Sequence, residues 1–341
     1  MPAQTPGIVA LAGQDRYEYV RDLSAGAHGF VQLAKDTTNH EQVAIKFLPR
    51  GEQTVNEYVL RELLHHRLLL HPHIIQFKEV FLTDDHLAIV MEYADRGDMF
   101  HHVIAAGGYS ERDCRWFFQQ LILGVDYAHK MGVCSRDIKL ENALCDGSQR
   151  PLLKLCDFGY SKSTMNSLPK SNVGTLGYAA PEVMAGHRQY CGQAADIWSC
   201  GCVLYALAFC RYPFERSDDP PAARRANIMR RSRRADYVVP TMIKECPTSQ
   251  ELKHLLSRML TPNPNDRAKM NEIWSSAWFS TDLPEPARTL NERCINMGHQ
   301  AGHQSEEELH RIWQAGRSSS TQSDLIADVI DDYDVDESMA P

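Results

Sequence analysis

The chain has 341 residues, of which 43% are apolar, so it can bury the core of one large domain or two small ones. Its formal net charge of −8 and its isoelectric point near 6 give no general case for nucleic-acid binding. The ten cysteines include no Cys-x-x-Cys pair, which argues against a disulfide framework or a zinc site and favours a reducing, intracellular compartment.

From Tyr17 to Glu92 the sequence is mostly typical of β-strands, with one helical stretch among them. The predicted strands are 17–20, 30–34, 43–47 and 87–92, and the predicted helix is 55–70. From Asp98 onward apolar residues repeat at helical spacing, most clearly in 114–130, 194–210 and 250–260. We therefore expect an α+β fold with a small sheet-rich lobe followed by a larger helical lobe.

A turn that contains Gly26 and Gly29 joins the first two predicted strands. Glycines there let backbone amides approach phosphate oxygens, because no Cβ stands in the way. Taken alone, the segment favours a bare turn, since Ser24 replaces the first glycine of a G-x-G-x-x-G pattern. Lys46 follows on the third strand, and Glu62 lies on the helical stretch, where it can pair with Lys46.

The loop 134–142 carries Asp137, Lys139 and Asn142, which can present three polar groups to one point. Asp157, followed by Phe-Gly, supplies a second carboxylate on a later loop. Phosphoryl transfer needs such groups: one carboxylate orients the attacking hydroxyl, while an amide and another carboxylate hold Mg²⁺ on the phosphates. The pattern therefore predicts phosphoryl-transfer chemistry.

Across residues 17–279 the chain resembles eukaryotic protein kinases. The residues that carry the resemblance occur in the family's order: Gly26, Gly29, Lys46, Glu62, Asp137, Lys139, Asn142, Asp157, Thr175 and Glu182. Segments 89–94, 117–122, 139–142, 156–162 and 169–171 resemble a narrower group. That group is the plant and green-algal sucrose-non-fermenting-related kinases of the second subfamily, which act in osmotic, abscisic-acid and nutrient-stress signalling.

The resemblance implies a bilobal protein-kinase fold, with an N-lobe at 17–93 and a C-lobe at 98–279, that uses ATP and Mg²⁺. It implies that Asp137 is the catalytic base and that Lys139, in the serine/threonine-kinase position, contacts the γ-phosphate. Lys46 and Glu62 would serve the α- and β-phosphates, and Asn142 and Asp157 would bind the metal. The implied ATP site comprises Leu23, Gly26, Gly29, Val31, Ala44, Lys46, Met91 as gatekeeper, Glu92, Ala94 and Leu144.

The segment between Tyr160 and Tyr178 is rich in hydroxyl groups and is expected to be the activation segment. Ser171 matches the family's activating phosphorylation site, and Ser167 is a second candidate. A phosphate there could pair with Arg136 and order the loop. Thr175 is expected to contact Asp137 and Lys139 rather than to be phosphorylated.

The resemblance also implies one ion pair within the chain and two carboxylates that bind the substrate. Glu182 is expected to form an ion pair with Arg267. Asp98 and Glu141 occupy positions where basophilic kinases bind an Arg three residues before the acceptor. The alternative for Asp98 and Glu141 is that both are simply carboxylates at the rim of the site.

Outside the kinase domain we expect a flexible N-terminus at 1–16, a linker at 280–298, a regulatory helix at 299–317 and an acidic tail at 318–341. Ser305 and Glu308 form a capping-box pattern, and Leu309, Ile312 and Trp313 form an apolar stripe. The resemblance implies that this helix packs on the helix of Glu62; the alternative is a free amphipathic end. The tail suggests either a disordered segment or a helix that folds on a partner.

Three departures from the kinase pattern keep a second hypothesis open: Ser24, His28 and Ser135, the last in place of the catalytic-loop histidine. The alternative is a pseudokinase that binds nucleotide and regulates partners without catalysis. Expected partners are protein substrates, an upstream activating kinase and, through the C-terminal extension, a protein phosphatase, but no nucleic acid or membrane. A cytoplasmic or nuclear location is expected, because the short apolar stretch near the N-terminus does not resemble a signal peptide.

Overall fold

A computed structural model describes residues 10–11, 14–26, 29–157, 176–186, 190–298 and 304–318. The chain divides into two compact units. The first holds the described parts of Met1–Arg67, Gln76–Tyr93 and Ala301–Pro341, and the second holds Leu68–Ile75 and the described parts of Ala94–Gln300. The predictions for Ser167, Ser171, Thr175 and His28, and for the tail beyond residue 318, lie outside the described residues.

The first unit is built on a five-stranded antiparallel sheet in the order β1-β2-β3-β5-β4. Its strands are β1 (Tyr17–Gly26), β2 (Gly29–Asp36), β3 (Gln42–Pro49), β4 (Phe77–Leu82) and β5 (His86–Glu92). Helix α1 (Glu57–Leu68) lies between β3 and β4 in the chain and buries Val59, Leu60 and Leu63. The predicted strands and helix are present, and β4 was missed because its apolar residues do not alternate.

The second unit is mainly helical, as the α+β prediction required. Its longer helices are α2 (Met99–Ala106), α3 (Glu111–Lys130), α5 (Gly192–Phe209), α6 (Pro221–Arg234) and α7 (Gln250–Met259), with the short α4 (Pro181–Met184) before α5. Every residue of α5 from Ala195 to Ala208 is buried, so the longest apolar run of the sequence is a core helix. Among the described residues, no helix is both long enough and apolar enough to cross a bilayer.

A small antiparallel ribbon positions the polar loops of the second unit. Strands β6 (Ala143–Cys145) and β7 (Leu153–Leu155) pair so that Ala143 lies opposite Leu155. The loop that carries Asp137 and Asn142 ends directly at β6, and Asp157 follows β7 by two residues. The backbone amide of Cys156 donates to the carbonyl of Asn142 at 3.0 Å. Pairing of the two short strands therefore brings both loops to the same edge.

The segment 280–298, expected as a linker, is largely helical. It follows the short strands β8 (Met242–Ile243) and β9 (Cys246–Pro247) and the short helices α8 (Met270–Ser275) and α9 (Ala277–Ser280), and it contains α10 (Glu285–Arg288) and α11 (Leu290–Met297). Asn291 of α11 is 3% exposed and donates to Asp126 Oδ2 at 2.8 Å and to Leu123 O at 3.1 Å, both on α3. The segment is therefore anchored to the second unit, because a buried amide must satisfy its hydrogen bonds.

The last described helix, α12 (Glu306–Arg317), packs within the first unit. Its N-cap Ser305 accepts the amide of Glu308 at 3.1 Å, as the capping-box pattern predicts. Leu309 is fully buried and Trp313 is 5% exposed, in one apolar cluster with Val59, Leu60 and Leu63 of α1 and with residues of the sheet. The apolar stripe is thus docked on the helix of Glu62 and is not a free end.

Candidate active site

Two side chains of the loop before β6 converge on one carboxylate oxygen of a third. Oδ2 of Asp137 accepts from Lys139 Nζ at 2.6 Å and from Asn142 Nδ2 at 2.9 Å. The amide nitrogen of Asn142 also donates to the backbone carbonyl of Asp137 at 3.0 Å. A 3₁₀ turn over Leu140–Asn142 folds the chain back and makes this convergence possible. Asp137 remains partly accessible, with 31% of its side chain exposed, so another group can approach it.

The protonation of Asp137 is set by opposing effects. Burial raises the pKa of its carboxyl above the ordinary value, and the nearby charge of Asp157 raises it further. The Lys139 ammonium and the hydrogen bonds from Lys139 and Asn142 act in the opposite direction. A carboxylate that is held by an ammonium and an amide, yet resists losing its proton to water, is suited to accept a proton from a positioned hydroxyl.

The backbone of this loop is hydrogen-bonded to the side chain of Asp196, a fully buried residue of α5. Its Oδ2 accepts the amide of Ser135 at 3.0 Å, and its Oδ1 accepts the amide of Arg136 at 2.7 Å. Arg136 itself has φ +59°, a left-handed conformation that is costly for a residue with a Cβ. The two hydrogen bonds offset that cost and fix the backbone directly before Asp137.

Ser135 stands where the resembling family has histidine, and its position tests whether the departure disturbs the loop. Ser135 is 4% exposed, and its backbone amide keeps the hydrogen bond to Asp196. The convergence of Lys139 and Asn142 on Asp137 is intact behind it. Phe158, on which the histidine of the resembling family packs, lies outside the described residues. In the described part of the loop, the polar geometry therefore does not depend on a histidine side chain.

The side chains of Asn142 and Asp157 offer oxygen ligands, which hard divalent cations prefer. Asn142 turns its amide nitrogen to Asp137, which is the arrangement that an Asn needs if its Oδ1 is to face a metal. Asp157 has φ +59°, and its charge acts on Asp137, so its carboxylate lies near the same point. An amide oxygen and a carboxylate are typical ligands of Mg²⁺ that is shared with substrate phosphates. The residues present therefore fit Mg²⁺.

In the first unit, Lys46 on β3 pairs with Glu62 on α1. Lys46 Nζ lies 3.3 Å from Glu62 Oε1, and the two side chains are 17% and 7% exposed. Glu62 faces the sheet because α1 buries the same face with Val59 and Leu63. An ammonium held in this way is a fixed positive charge, which suits recognition of phosphate oxygens.

The two glycines of the turn between β1 and β2 have different requirements. Gly26 is exposed, and among the described residues a Cβ there would meet only the carbonyl of Gly29 at 3.9 Å. Gly29 has φ +140°, and a Cβ there would collide with the carbonyl of Phe47 on β3. Gly29 is therefore required by the close approach of two strands, a reason independent of any ligand.

The remaining predicted ATP contacts are divided between the units. In the first unit Ala44 is buried, while Leu23, Val31, Met91 and Glu92 are half-buried on β1, β2 and β5. The amide of Glu92 donates to Gln76 O at 2.9 Å, so a contact from the Glu92 backbone to adenine would have to come from its carbonyl. In the second unit Ala94 is 6% exposed, and Leu144 is half-buried on β6.

The expected ion pair between Glu182 and Arg267 is present and buried. Arg267 NH1 and NH2 donate to the two carboxylate oxygens of Glu182 at 2.7 and 2.9 Å, and the arginine side chain is 0% exposed. The same guanidinium donates to three backbone carbonyls, those of Thr261, Pro262 and Ala194. The polar atoms of the pair thus have hydrogen-bond partners, which is the condition for a buried ion pair to be tolerated.

The two candidate substrate carboxylates differ in how far they are already engaged. Asp98 is the N-cap of α2: it accepts the amide of His101 at 2.9 Å, and both its oxygens lie 2.9 Å from His101 Nδ1. Glu141 Oε2 is buried and has no hydrogen-bond partner among the described residues. Burial, with the Glu141 charge adding, raises the pKa of the neighbouring Tyr212 to about 12. Glu141 is therefore the better placed to receive a cation.

The sequence analysis missed the residues that hold the loop from behind. The contact of Asp196 with the loop amides, and its partner His129 at 2.9 Å, were not predicted from the sequence. Tyr178, whose hydroxyl accepts the Leu140 amide at 3.3 Å, was also missed. These residues come from distant parts of the chain. The Asp-Ile-Trp of α5 is the only local signal that could have indicated the contact.

Comparison with known proteins gives the same family along the chain. The family model described as protein kinase domain matches residues 17–279. Serine/threonine-protein kinase SRK2A of Physcomitrium patens is 44% identical over 334 residues, which cover 96% of this chain and 93% of that protein. Serine/threonine-protein kinase SAPK2 of Oryza sativa subsp. indica is 43% identical, covering 95% and 96%. Serine/threonine-protein kinase SRK2G of Arabidopsis thaliana is 48% identical, covering 80% and 75%.

Proposed function

This chain belongs to the protein kinase family, among serine/threonine-protein kinases similar to SRK2 and SAPK, and we propose that it phosphorylates proteins with Arg three residues before the acceptor. In the proposed reaction the γ-phosphate of Mg·ATP passes to a serine or threonine hydroxyl. The observation that carries the proposal is the convergence of Lys139 and Asn142 on Asp137. A scaffold that binds partners without catalysis has no chemical need for this arrangement.

In the proposed mechanism Asp137 accepts a hydrogen bond from the substrate hydroxyl at Oδ1, because Oδ2 already accepts from Lys139 and Asn142, and it receives the hydroxyl proton as the phosphoryl group is transferred. Lys139, which contacts the Asp137 carboxylate at 2.6 Å, can reach the transferring phosphate and neutralise charge that develops there. Asn142 and Asp157 would hold Mg²⁺, which when bound offsets the charge of the phosphate oxygens. Lys46, fixed by Glu62, would hold the α- and β-phosphates.

The preference for arginine is supported chiefly by Glu141. Its Oε2 is buried and without a hydrogen-bond partner in the described part of the chain, which leaves it able to accept from a guanidinium. Asp98, already engaged with His101, contributes charge rather than an open acceptor. We therefore expect Glu141 to matter more than Asp98 for selection of the arginine.

The regulatory part of the proposal rests on the family resemblance and on α12. Activation would follow phosphorylation of Ser171, or of Ser167, with Arg136 as the partner of the phosphate and Thr175 as an unmodified contact. The function would lie in osmotic, hormone or nutrient-stress signalling, in the cytoplasm or nucleus. A protein phosphatase acting through the C-terminal extension and an upstream kinase would be the partners.

Two peptides that differ only in one residue test the proposal. The purified chain is given Mg·ATP with an Arg-x-x-Ser peptide or with its Ala-x-x-Ser counterpart, and phosphoserine is measured. We expect faster transfer to the first peptide and loss of the preference in Glu141→Gln. Equal rates for both peptides would contradict the arginine preference while leaving the kinase activity standing, and no transfer to either would favour a scaffold.

A further inference from the structure

Three potential metal ligands meet at the start of the catalytic loop. They are His129 at the end of α3, Cys134 at the start of the loop and Asp196 on α5. One ligand atom of each lies within 4.8 Å of the corresponding atoms of the other two. The side chains of His129 and Asp196 are 6% and 1% exposed, and Cys134 is half-buried. A nitrogen, a sulfur and an oxygen ligand are thus gathered in a largely dry place.

The set has the chemistry of a zinc site with an open position. Zn²⁺ binds Cys sulfur at about 2.3 Å and His nitrogen or Asp oxygen at about 2.0–2.2 Å, which separates tetrahedral ligand atoms by about 3.3–3.7 Å. His129 Nε2 and Asp196 Oδ2 lie 2.9 Å apart, so they would have to open by roughly half an ångström to admit the ion. Hard cations such as Mg²⁺ avoid sulfur, so the cysteine selects for zinc.

The surroundings of the three ligands leave one side for a metal ion to enter and restrict the space on that side. Cys134 is the half-exposed member, so the ion would arrive from its side, where water can fill the fourth position. Gly192, the first residue of α5, keeps that side narrow, because a Cβ there would lie 3.0 Å from Cys134 Sγ. The guanidinium of Arg136 lies on the same side and opposes a cation. The carboxylate of Asp196 and a thiolate of Cys134 supply two negative charges against it.

We propose that His129, Cys134 and Asp196 form an inhibitory zinc site. Binding releases the thiol proton of Cys134 to solvent, leaves the ring proton of His129 on Nδ1 in place of Nε2, and replaces the His129–Asp196 hydrogen bond by two bonds to the metal. The carboxylate of Asp196 also holds the amides of Ser135 and Arg136, directly before Asp137. Movement of this carboxylate toward zinc would lengthen its hydrogen bonds to the two amides, now 3.0 and 2.7 Å, and so shift the loop that carries Asp137.

Metal binding can be measured without kinase activity. The full chain, freed of metal, is titrated with Co²⁺ and followed by absorbance, and Zn²⁺ affinity is measured by competition with a chromophoric chelator. We expect one equivalent of metal per chain and a thiolate-to-cobalt charge-transfer band. Cys134→Ser should abolish the band and weaken zinc binding by about tenfold or more. Cys246→Ser, which changes an exposed thiol outside this cluster, should bind like the wild type.

A second measurement links the site to the loop. One equivalent of zinc should slow phosphorylation of the peptide by the wild type, a zinc-selective chelator should restore the rate, and Cys134→Ser should be insensitive. Absence of the charge-transfer band in the wild type, or equal zinc affinity in Cys134→Ser and Cys246→Ser, would overturn the proposal. If Cys134→Ser does not fold, as judged by circular dichroism, His129→Gln takes its place, and zinc affinity equal to that of Cys246→Ser would then overturn the proposal.

Discussion

The indole Nε1 of Trp313 donates to the backbone carbonyl of Asn56 at 3.0 Å, which joins the C-terminal helix to the start of the helix that carries Glu62. Around this bond, Arg67 of α1 donates to Gln304 O at 3.1 Å, and Gly51 donates to Gly316 O at 3.0 Å. The ends of α12 are therefore both fixed within the first unit. Because Glu62 orients Lys46, the docking of α12 bears on the ammonium proposed to hold ATP.

Trp313→Ala should destabilise the first unit by about 3 kcal/mol, since it removes a large buried side chain and leaves a cavity between α12 and α1. The free energy of unfolding is measured by chemical denaturation, and kinase activity should fall with it. Gln314→Ala, on the exposed face of the same helix, is the matched control. Similar stability in the two variants would mean that α12 is not docked in solution.

Arg267→Ala should destabilise the second unit by about 3–5 kcal/mol, because it leaves the buried carboxylate of Glu182 without its partner. The exposed pair of Arg216 and Asp236, whose side chains are 51% and 53% exposed, offers the comparison. Arg216→Ala should change stability by less than about 1 kcal/mol. Thermal and denaturant unfolding of the two variants test this, and a small effect of Arg267→Ala would show that the buried pair is dispensable.

Stability should fall in mild acid because of two buried histidines. Burial lowers the pKa of His71 to about 3 and that of His73 to about 4, whereas an unfolded histidine titrates near pH 6.5. Below pH about 6.5 the two histidines bind protons in the unfolded chain but stay neutral in the folded chain. The stability present above that pH is therefore lost as pH falls toward the folded pKa values. Each group contributes about 1.4 kcal/mol per pH unit in this window.

Denaturant unfolding at several pH values between 7.5 and 5 measures that slope. His71→Gln should reduce the slope by roughly one proton, about 1.4 kcal/mol per pH unit, because it removes one of the two histidines that stay neutral in the folded chain. His254→Gln changes an exposed histidine on α7 and should keep the wild-type slope. Identical slopes for wild type and His71→Gln would show that His71 does not remain neutral in the fold.

The pH dependence of activity should respond to Lys139. Asp137 must be ionised to accept a proton, so kcat/KM falls as pH drops through its pKa, which burial raises and Lys139 lowers. Lys139→Ala removes a positive charge that contacts Asp137 at 2.6 Å. The acid limb should therefore move to higher pH, in addition to a lower maximal rate. Lys130→Ala, which removes an exposed lysine paired with Asp126, should leave the limb in place, and an unmoved limb in Lys139→Ala would contradict the assignment.

The polar groups of the catalytic loop could be predicted from the sequence because Asp137, Lys139 and Asn142 lie within six residues of one another. Short spacing limits the geometry, so their convergence follows from a single turn. The helix α12 and its apolar stripe could be predicted from local signals, whereas its docking on α1 was implied only by the family resemblance. The α+β division followed from the change of hydrophobic period along the chain.

Contacts between distant segments could not be predicted in the same way. His129 and Asp196 are separated by 67 residues, and no local pattern indicates that they meet. Asn291 was assigned to a linker because the prolines nearby suggest loop, whereas its buried hydrogen bonds to α3 depend on tertiary packing. The engagement of Asp98 as a helix N-cap was likewise missed, because its sequence position fitted substrate binding equally well.

The most direct test of the central proposal is transfer of the γ-phosphate from Mg·ATP to an Arg-x-x-Ser peptide by wild type and by Asp137→Asn. The asparagine keeps the size of the side chain but cannot take the hydroxyl proton, so we expect transfer to fall by about 10²–10⁴-fold while nucleotide binding is retained. Equal transfer by both proteins would contradict the role of Asp137. Absence of transfer from both, with nucleotide bound and the activation segment phosphorylated, would contradict catalysis itself and leave a nucleotide-binding scaffold.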